Sequence, residues 1–378
     1  MSTTRAALHR KDTAKPGDLY MSFELGDKSW KLTFGDGGGT ASRHTVAAGD
    51  QAGVADCIAR AGKRFKTSAR AQVHSCYEAG RDGWWLHRWL TGLGVDNVVV
   101  DAASIEVNRR ARRAKTDRLD GDKLLTMLLR HHHGERVWSV LREPTASQED
   151  ERRDHREFER LTHERTAHTS RIRSLLVLHN LRPSVPIGGR YWATWWSRHS
   201  EQLGQRLRAE IERELARLTL VKEQVRQIEV ARQAELQDGR QPAVAQLMRL
   251  VGIGARGACV LAHEVFGWRQ FANRRELAGC IGVAPTPYAS GDSHIEQGIS
   301  KAGNRRARSV LVELAWCWLR LQPESAMTMW FNQRFARGGA RMRRIGIVAL
   351  ARRLAIALWR FLRDGELPAG ARLKALPS

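Results

Sequence analysis

The sequence reads KTDRLD at residues 115–120 and continues into KLLTMLL at residues 123–129, an apolar run that predicts a helix. Residues three apart share one face of a helix, so Asp117 and Asp120 would point the same way. Paired carboxylates of this kind can hold a divalent metal ion for phosphate chemistry. An Asp in the first turn also stabilises any helix start through the helix dipole, so the pair by itself leaves both interpretations open.

Basic residues surround this acidic pair and are abundant throughout the chain. The 378 residues include 63 Lys and Arg against 40 Asp and Glu, a formal net charge of +23. Such an excess predicts a polyanionic partner, and nucleic acid is the usual one. A membrane surface is disfavoured because no basic amphipathic helix stands apart from the rest. The candidate nucleic-acid contacts beside the pair are Arg112, Arg113, Lys115 and Arg118.

Cysteine usage and apolar segments indicate the compartment. The five cysteines are odd in number, widely spaced and never arranged as C-x-x-C, which argues against disulfides and structural zinc. Residues 1–18 form a polar leader without the apolar core of a secretory signal. The apolar stretch 345–362 is interrupted by Arg352 and Arg353, so it predicts a packed helix rather than a membrane span. We therefore expect a soluble, cytoplasmic protein that does not bind membranes.

Residues 19–145 predict an α/β domain. Three short runs separated by turn residues are typical of antiparallel strands, and two further strands then alternate with helices. In such a pattern the strand ends carry the functional site, and the fourth strand ends on Glu78. The predicted strands are 19–25, 29–34, 43–47, 71–77 and 97–100, and the predicted helices between them are 54–65 and 84–93.

Residues 146–240 predict a helical linker or coiled coil. Apolar residues at steps of three and four form a heptad-like stripe, so we expect either a helical hairpin or a dimerising coiled coil. A solvated helical linker without a partner is the alternative. Pro183, Pro186 and the pair Gly188-Gly189 separate the two helical stretches. The stripe consists of Leu203, Leu207, Ile211, Leu215, Leu218, Val221, Val225 and Ile228.

A glycine turn lies near the start of the last predicted domain, residues 241–378, which is mainly α-helical by its pattern. Gly252 and Gly254 follow a helix predicted over 244–250 and precede a helix predicted around Ala258. In a helix-hairpin-helix, such a turn brings backbone N–H groups to a DNA phosphate, as helix N-termini do for anions. An ordinary connection between two core helices explains the same residues.

A second cluster of candidate residues follows in the same domain. The Pro, Gly and Ser content of residues 285–293 predicts a loop, and Ser290 stands beside a glycine within it. Flanking cations can bring a phosphate to this hydroxyl, although serine needs activation by a base, a cation or a metal-polarised electrophile. A simple turn serine is the alternative. The candidate phosphate contacts here are Lys301, Asn304, Arg305 and Arg306.

In combination, these segments resemble the bridge-RNA-guided insertion-sequence transposases. That family joins a RuvC-like, RNase H-like acidic domain to a C-terminal transposase domain with a catalytic serine. The stretch KTDRLD is similar to the family's paired-aspartate motif and is the most specific match. The sequences around Glu24 and Glu78 resemble the first two acidic motifs. The Gly252–Gly254 turn resembles the helix-hairpin-helix, and residues 290–304 resemble the serine segment.

One position departs from the family pattern. The first acidic residue is commonly Asp, and here it is Glu24, whose longer side chain still binds hard cations through oxygen. Asp27 and Asp101 rank below Glu24 as substitutes. Among the serines, Ser290 precedes the glycine and fits best, and Ser293 is the second candidate.

The resemblance implies a specific mechanism and a set of partners. One or two Mg²⁺ ions would be held by the four acids, and the Ser290 hydroxyl would form a covalent link to DNA. A structured noncoding RNA, the bridge RNA, would guide donor and target DNA, and the protein would act as a homodimer or a dimer of dimers near the prokaryotic nucleoid. The four metal-binding and catalytic acids are Glu24, Glu78, Asp117 and Asp120.

Two other functions remain open at this point. A metal-dependent hydrolytic nuclease or junction resolvase would use water as the nucleophile and leave Ser290 structural. A non-catalytic nucleic-acid-binding protein would need neither the acids nor the serine. The histidines 131–133 are interpreted as polar groups suited to a helix C-terminus rather than as metal ligands.

Overall fold

The computed structural model describes residues 17–68, 70–80, 82–105, 117–290 and 293–374. The chain divides into two units, residues 1–144 and residues 145–378. The first unit is a mixed α/β structure with a five-stranded sheet, and the second is mainly helical. This confirms the predicted order of an α/β region followed by a helical region.

A five-stranded sheet forms the centre of the first unit. Its strands are β1 (Leu19–Leu25), β2 (Ser29–Gly35), β3 (Ser42–Ala47), β4 (Val73–Glu78) and β5 (Asp96–Val100). Their order across the sheet is β3-β2-β1-β4-β5. The first three strands pair antiparallel, whereas β4 runs parallel to both β1 and β5. The carboxyl ends of β1, β4 and β5 therefore lie at one edge of the sheet.

Helices cover both faces of this sheet. Alternate residues of each strand point to opposite sides, so each face has its own apolar side chains to bury. On one face, Met21 and Phe23 belong to an apolar cluster with residues of α1 (Gln51–Arg64) and α2 (Trp85–Gly92). On the other face, Tyr20 and Cys76 pack against leucines of α3 (Asp117–His132). The cluster on the α3 face is Tyr20, Cys76, Leu124, Leu125 and Leu128.

The first turns of α3 lie against the strands themselves. The buried Ser22 hydroxyl donates a 2.9 Å hydrogen bond to the carbonyl oxygen of Gly121. A Cβ atom at Gly121 would approach the hydroxyl oxygen of Thr33 to 2.6 Å, so a larger residue there would push the helix away. Glycine at this position therefore allows the helix to begin in direct contact with β1 and β2.

The second unit begins with a helical hairpin. Its helices α4 (Ala146–Val177) and α6 (Gln205–Gln237) pack along their length, with the short α5 (Trp192–His199) in the connection. Leu161 of α4 meets Val221 and Val225 of α6. Ile172, nearer the end of α4, clusters with Ile211, nearer the start of α6, so the two helices are antiparallel. The heptad-like stripe thus packs within one chain, as the hairpin alternative predicts.

Within the described residues, the rest of the second unit contains six further α-helices, one π-helical turn and a two-stranded hairpin. Apolar residues of α12 recur at helical spacing and are buried, which agrees with the packed helix predicted over 345–362. Within the described ranges, no helix combines the length and apolar character that crossing a bilayer requires. The helices are α7 (Pro242–Met248), α8 (Ala255–Leu261), α9 (Arg274–Ile281), α10 (Arg305–Leu321), α11 (Ala326–Phe335) and α12 (Ala340–Asp364).

The prediction of a loop over residues 285–293 was wrong, because most of this stretch belongs to a β-hairpin. β6 (Pro285–Ser290) pairs antiparallel with β7 (Ser293–Ile299), and residues 291 and 292 between them lie outside the described residues. Turn-forming residues dominated the sequence interpretation, but each strand supplies the backbone partners that the other needs. A two-stranded ribbon therefore replaces the loop.

The base of this hairpin is held against the end of α9. The backbone N–H groups of Ser300, Lys301 and Asn304 donate to the carbonyl oxygens of Ala284, Gly282 and Cys280. Gly303 has a φ of 81°, and a Cβ atom there would overlap the Cys280 carbonyl oxygen. Both the backbone conformation and the close approach require glycine at this position.

We predict that Gly303→Ala destabilises the protein by more than about 1–3 kcal/mol, the usual cost of a left-handed non-glycine residue, because a collision adds to that cost. Gly298→Ala is the matched control, since Gly298 has a φ of 86° but open space around its Cβ position. Urea denaturation of the full chain measures both values. Equal losses in the two variants would show that the close approach of Gly303 to the Cys280 carbonyl oxygen does not matter.

Candidate active site

Two of the predicted acids lie at the same edge of the sheet. β1 and β4 are parallel, and Phe23 is aligned with Tyr77, so Glu24 and Glu78 follow at neighbouring positions. Strand alternation places both residues on the face that α3 covers, where Tyr20 and Cys76 also lie. Glu24 is half-buried and Glu78 is exposed. The register therefore places both residues at the carboxyl ends of adjacent strands.

The start of α3 reaches the same edge. Asp117 is its first residue, and the half-buried Asp120 directly precedes Gly121, whose carbonyl oxygen accepts the hydrogen bond from Ser22. Since Ser22 is two residues before Glu24 on the same face of β1, the first turn of α3 lies beside Glu24. The strand register and the helix contact thus place all four predicted acidic positions in one region.

Asp101 is a further acid at this edge, which the sequence interpretation ranked as a substitute. It directly follows β5, whose residue Val100 is aligned with Glu78. Its backbone N–H donates to the Ser139 carbonyl oxygen at 2.9 Å. Asp27, the other substitute, lies in the turn between β1 and β2. The strand-end rule applied to β5 as well as to β4 would have given Asp101 a higher rank.

The donor set at this edge fits a hard divalent cation. Carboxylate oxygens are the ligands that Mg²⁺ prefers in proteins, and this edge supplies them from β1, β4 and α3. The start of a helix adds the positive end of its dipole, which favours anionic groups nearby. Glu24, Glu78 and Asp120, with Asp117 at the first helical position, are the residues that would hold the ion.

Ser290 lies at the tip of the β6–β7 hairpin. It is the last residue of β6 and is aligned with Ser293, the first residue of β7. His294, the nearest histidine along the chain, is aligned with Ala289. The two candidate serines therefore occupy opposing positions at the tip of one hairpin, while the base of the hairpin is fixed against α9.

Asn304 connects this hairpin to a buried polar network. Its side-chain oxygen accepts from the N–H of Ala307 at 3.0 Å, so it caps α10. Its amide nitrogen donates to Glu264 Oε2 at 2.8 Å. Both ends of the side chain are thus engaged within the protein, and the sequence interpretation, which assigned Asn304 to a phosphate, missed this role.

Glu264 is the centre of that network. Its side chain is only 2% exposed, and it receives hydrogen bonds at 2.8 Å from His155 Nε2 and from Arg156 Nε. A single π-helical turn, Ala262–Phe266, contains this residue. Burial alone would raise the pKa of Glu264, but the hydrogen bonds from His155 and Arg156 outweigh burial, so its pKa lies well below the ordinary value. The carboxylate is therefore ionised and ties α4 to the start of α10.

Predicted nucleic-acid contacts occur on both sides of Asn304. Lys301 and Arg305 are exposed, and Lys301 has a φ of 56°. Arg306 is also exposed and donates to Glu159 Oε2 at 2.6 Å. Arg112, Arg113 and Lys115 lie outside the described residues, and Arg118 is the second residue of α3.

The glycine turn between α7 and α8 has the expected short form. Gly252 has a φ of 93°, which favours glycine, and its Cβ position faces Leu321 of α10 at 3.6 Å. Gly254 is the N-cap residue that directly precedes α8, so the next backbone N–H groups are those of a helix N-terminus. A helix, a tight glycine turn and a second helix therefore follow one another here.

We expect Glu264→Gln to lower the free energy of unfolding by about 2–3 kcal/mol, since it leaves the buried His155 and the partly exposed Arg156 without their charged acceptor. Glu159→Gln is the matched control, because the Glu159–Arg306 pair is exposed and worth less than about 1 kcal/mol. Denaturant titration of both variants makes the comparison. If Glu159→Gln lost as much free energy of unfolding as Glu264→Gln, Glu264 would not be the centre of a stabilising buried network.

Low pH should remove the difference in stability between wild type and Glu264→Gln. A carboxylate whose folded pKa is lowered contributes fully above its unfolded pKa, and this contribution is lost as the pH falls through the folded value. The ordinary pKa of this carboxyl is 4.5, so the difference between the two proteins should be constant above that pH and shrink below it. Unfolding midpoints measured against pH test the sign.

Known proteins match this chain along most of its length. The sequence profile of the transposase IS116/IS110/IS902 family matches residues 244–329, which include the glycine turn and Ser290. The Sinorhizobium fredii protein y4rJ, named as a transposase, is 41% identical over 381 residues that cover 95% of each protein.

Two other relatives match shorter parts of the chain. The Sinorhizobium fredii protein y4qE, also named as a transposase, is 29% identical over 69% of this chain and 62% of its own length. A 43.6 kDa protein of insertion element IS110 from Streptomyces coelicolor is 31% identical over 42% of this chain and 39% of its own. The full-length similarity to y4rJ and the profile match agree, and the chain belongs to the IS116/IS110/IS902 family of transposases.

Proposed function

We propose that this transposase is guided by RNA and cuts and rejoins DNA through a covalent serine–DNA intermediate, with Mg²⁺ as cofactor. DNA transposition is the activity that membership of the family implies. The main observation behind the proposed mechanism is structural. Glu24, Glu78 and the first turn of α3 lie at one edge of the sheet. A serine at the tip of an anchored hairpin is the second support.

The sheet topology supports an RNase H-like, RuvC-like interpretation of the first unit. Three antiparallel strands are followed by two strands parallel to β1, in the order β3-β2-β1-β4-β5. The acids lie at the carboxyl ends of the parallel strands and on a helix packed over the same face. This is the arrangement that the resemblance of the sequence motifs leads us to expect.

The acidic residues have a defined task in this proposal. Glu24, Glu78, Asp117 and Asp120 would hold Mg²⁺ and fix its position against the rigid sheet. When bound, the ion polarises the scissile phosphate and neutralises the charge that develops in the transition state. The apolar cluster beneath α3 keeps the carboxylates in place, because the helix cannot shift without losing the packing of Leu124 and Leu128.

Ser290 supplies the nucleophile in this proposal. Its hydroxyl oxygen attacks the phosphorus, an Oγ–P bond forms, and one P–O bond of the DNA backbone breaks to release a DNA hydroxyl end. The protein–DNA bond is itself a phosphodiester, so a DNA hydroxyl can later attack it and release the serine. Strand exchange through such an intermediate needs no external energy source.

The charge of the protein fits a load of RNA and DNA. The net charge of +23 suits a long nucleic-acid partner, and exposed cations such as Lys301 and Arg305 lie beside the hairpin base. The turn at Gly252 and Gly254 would present helix N–H groups to a phosphate, as a helix-hairpin-helix does. A guide RNA would select sequence by base pairing, while the protein holds backbone and shape. Assembly as a homodimer or dimer of dimers stays a prediction.

Ser290→Ala should abolish the covalent adduct between protein and end-labelled DNA, because no other group at that position can form the ester. Asp120→Asn should lower adduct formation by about 100-fold or more, since it removes a metal-binding carboxylate. The assay combines purified full chain, Mg²⁺, flanking RNA and DNA, and scores label that stays with protein after denaturation.

Two variants serve as controls in that assay. Ser293→Ala removes the serine that opposes Ser290, and Asp122→Asn changes an acid of α3 that is bound by Arg43 at 2.6 Å. Both should form the adduct at wild-type levels. Cleavage without an adduct, unchanged by Ser290→Ala, would instead establish a hydrolytic nuclease with water as nucleophile.

The guide proposal has its own test. Omission of the flanking RNA should abolish sequence-specific cleavage, and compensatory changes in the RNA should redirect cleavage to a correspondingly altered DNA. Retained specificity without any RNA would show that the protein itself reads DNA sequence. The adduct assay stays informative in that case, because it depends on Ser290 rather than on the means of target selection.

A further inference from the structure

Three potential metal ligands meet at the edge of the sheet opposite to the acidic site. Asp18 directly precedes β1, His74 lies in β4, and His132 is the last residue of α3. One ligand atom of each residue lies within 4.8 Å of those of the other two. The distance from His74 Nε2 to Asp18 Oδ2 is 3.5 Å, and the two imidazole rings have centroids 4.0 Å apart. We refer to Asp18, His74 and His132 as the amino-edge cluster.

The orientation of His74 is that of a metal ligand. Its Nδ1 atom lies 2.9 Å from Asp96 Oδ2, the contact that a carboxylate makes with the outer nitrogen of a metal-bound imidazole. That Nε2 atom is buried, makes no hydrogen bond, and faces Asp18 and His132. The His74 side chain is only 7% exposed. Metal-bound histidines are typically oriented by such a carboxylate on the other nitrogen.

Asp18 is oriented in a similar way. Its Oδ1 atom accepts a 3.1 Å hydrogen bond from the backbone N–H of Gln72, which leaves Oδ2 toward His74. The ring of Tyr20 packs against both imidazoles, with centroid distances of 5.2 Å to His74 and 5.5 Å to His132. The Tyr20 hydroxyl is a second buried polar atom without a hydrogen-bond partner in this region. Neighbouring groups thus hold Asp18 and His74 in place, and His74 is buried while Asp18 and His132 are half-buried.

We propose that the amino-edge cluster binds a transition-metal ion, with Zn²⁺ as the reference ion. Two imidazole nitrogens and one carboxylate oxygen are a ligand set of borderline softness, and three protein ligands with one open position are common for zinc. A cation between these groups would contact the buried Nε2 atom of His74, which makes no hydrogen bond in the structure. A buried polar atom without a partner costs stability, and a bound ion would remove that cost.

The role of this site follows from the origin of its ligands. The ion would join the residue before β1, the strand β4 and the end of α3, three segments distant in sequence. α3 has 16 residues and is therefore about 24 Å long, and its other end carries Asp117 and Asp120. The proposed ion is thus separate from the Mg²⁺ site and would stabilise the first unit by fixing the far end of the helix on which the acids stand.

The experiment uses untagged full-length protein stripped with a chelator and held in excess Mg²⁺, which saturates the carboxylate site. Zn²⁺ is titrated while thermal unfolding is recorded, and retained zinc is counted by elemental analysis after gel filtration. Co²⁺ is added in a parallel sample, because its visible spectrum reports imidazole-containing coordination. We expect one retained ion per chain and an unfolding midpoint that rises with Zn²⁺.

Variants separate this site from other histidines and acids. Asp18→Asn keeps an oxygen acceptor for Gln72 but removes the charge, and His132→Gln removes a half-buried ligand, so both should lose affinity by about tenfold or more. Asp96→Asn alters only the partner of His74 and should weaken binding by about 10–100-fold. His133→Gln, an adjacent exposed histidine, is the matched control and should bind as wild type does.

Two outcomes would overturn the proposal. Wild type that retains no more zinc than the Asp18→Asn, His132→Gln double variant would show that the cluster is a plain hydrogen-bonding group. A Zn²⁺-dependent rise in the unfolding midpoint that persists in His132→Gln at unchanged zinc concentration would assign the bound ion to other residues. Circular dichroism of the metal-free variants verifies that each remains folded. Asp18→Asn changes a residue outside α3, so its zinc affinity tests the site without altering that helix.

Discussion

The packing of α3 against one face of the sheet is the constraint on which the first unit depends. The hydrogen bond from Ser22 to the Gly121 carbonyl fixes the start of the helix, and the leucines that follow bury against Tyr20 and Cys76. Glu24 occupies the next position of β1 on the same face as Ser22. A helix that started farther from the sheet would separate Asp117 and Asp120 from the strand acids, so the close contact at Gly121 sets how near the start of α3 lies to Glu24.

In the second unit, a buried charge rather than an apolar contact has the corresponding role. The Glu264 carboxylate binds His155 and Arg156 of α4 and also Asn304, the cap of α10. A buried carboxylate is costly unless its partners are complete, so the geometry of all three partners is tightly specified. The backbone of Asn304 also binds Cys280 beside the hairpin base. The base of the β6–β7 hairpin is therefore linked to this buried network through Asn304.

The sequence predicted most local elements of the fold, and failed where contacts are long-range. Alternation and turn residues predicted β1 to β5, and helical spacing predicted helices in the α4–α6 region but left a hairpin and a dimerising coiled coil open. The β6–β7 hairpin was missed because Pro, Gly and Ser indicate turns whether or not strands flank them. No sequence pattern joins His155 to Glu264, or Asp18 to His74 and His132, since these residues meet only through tertiary packing. His132 in particular was interpreted as part of a helix end, because its partners lie in distant strands.

The two ends of α3 present different ligand chemistry, and this difference has a physical consequence. Carboxylate oxygens at its start favour Mg²⁺, a hard ion that dehydrates reluctantly, whereas the imidazoles at its end favour borderline transition metals. Ligand type sorts metals where affinity alone does not, because first-row transition ions bind most sites more tightly than Mg²⁺ does. A nitrogen-rich site on the same helix would retain a scarce transition ion at the far edge of the sheet. The edge with only oxygen ligands would then bind Mg²⁺, the abundant ion. The transition-metal ion would stabilise the fold at one end of α3, and Mg²⁺ would take part in the reaction at the other.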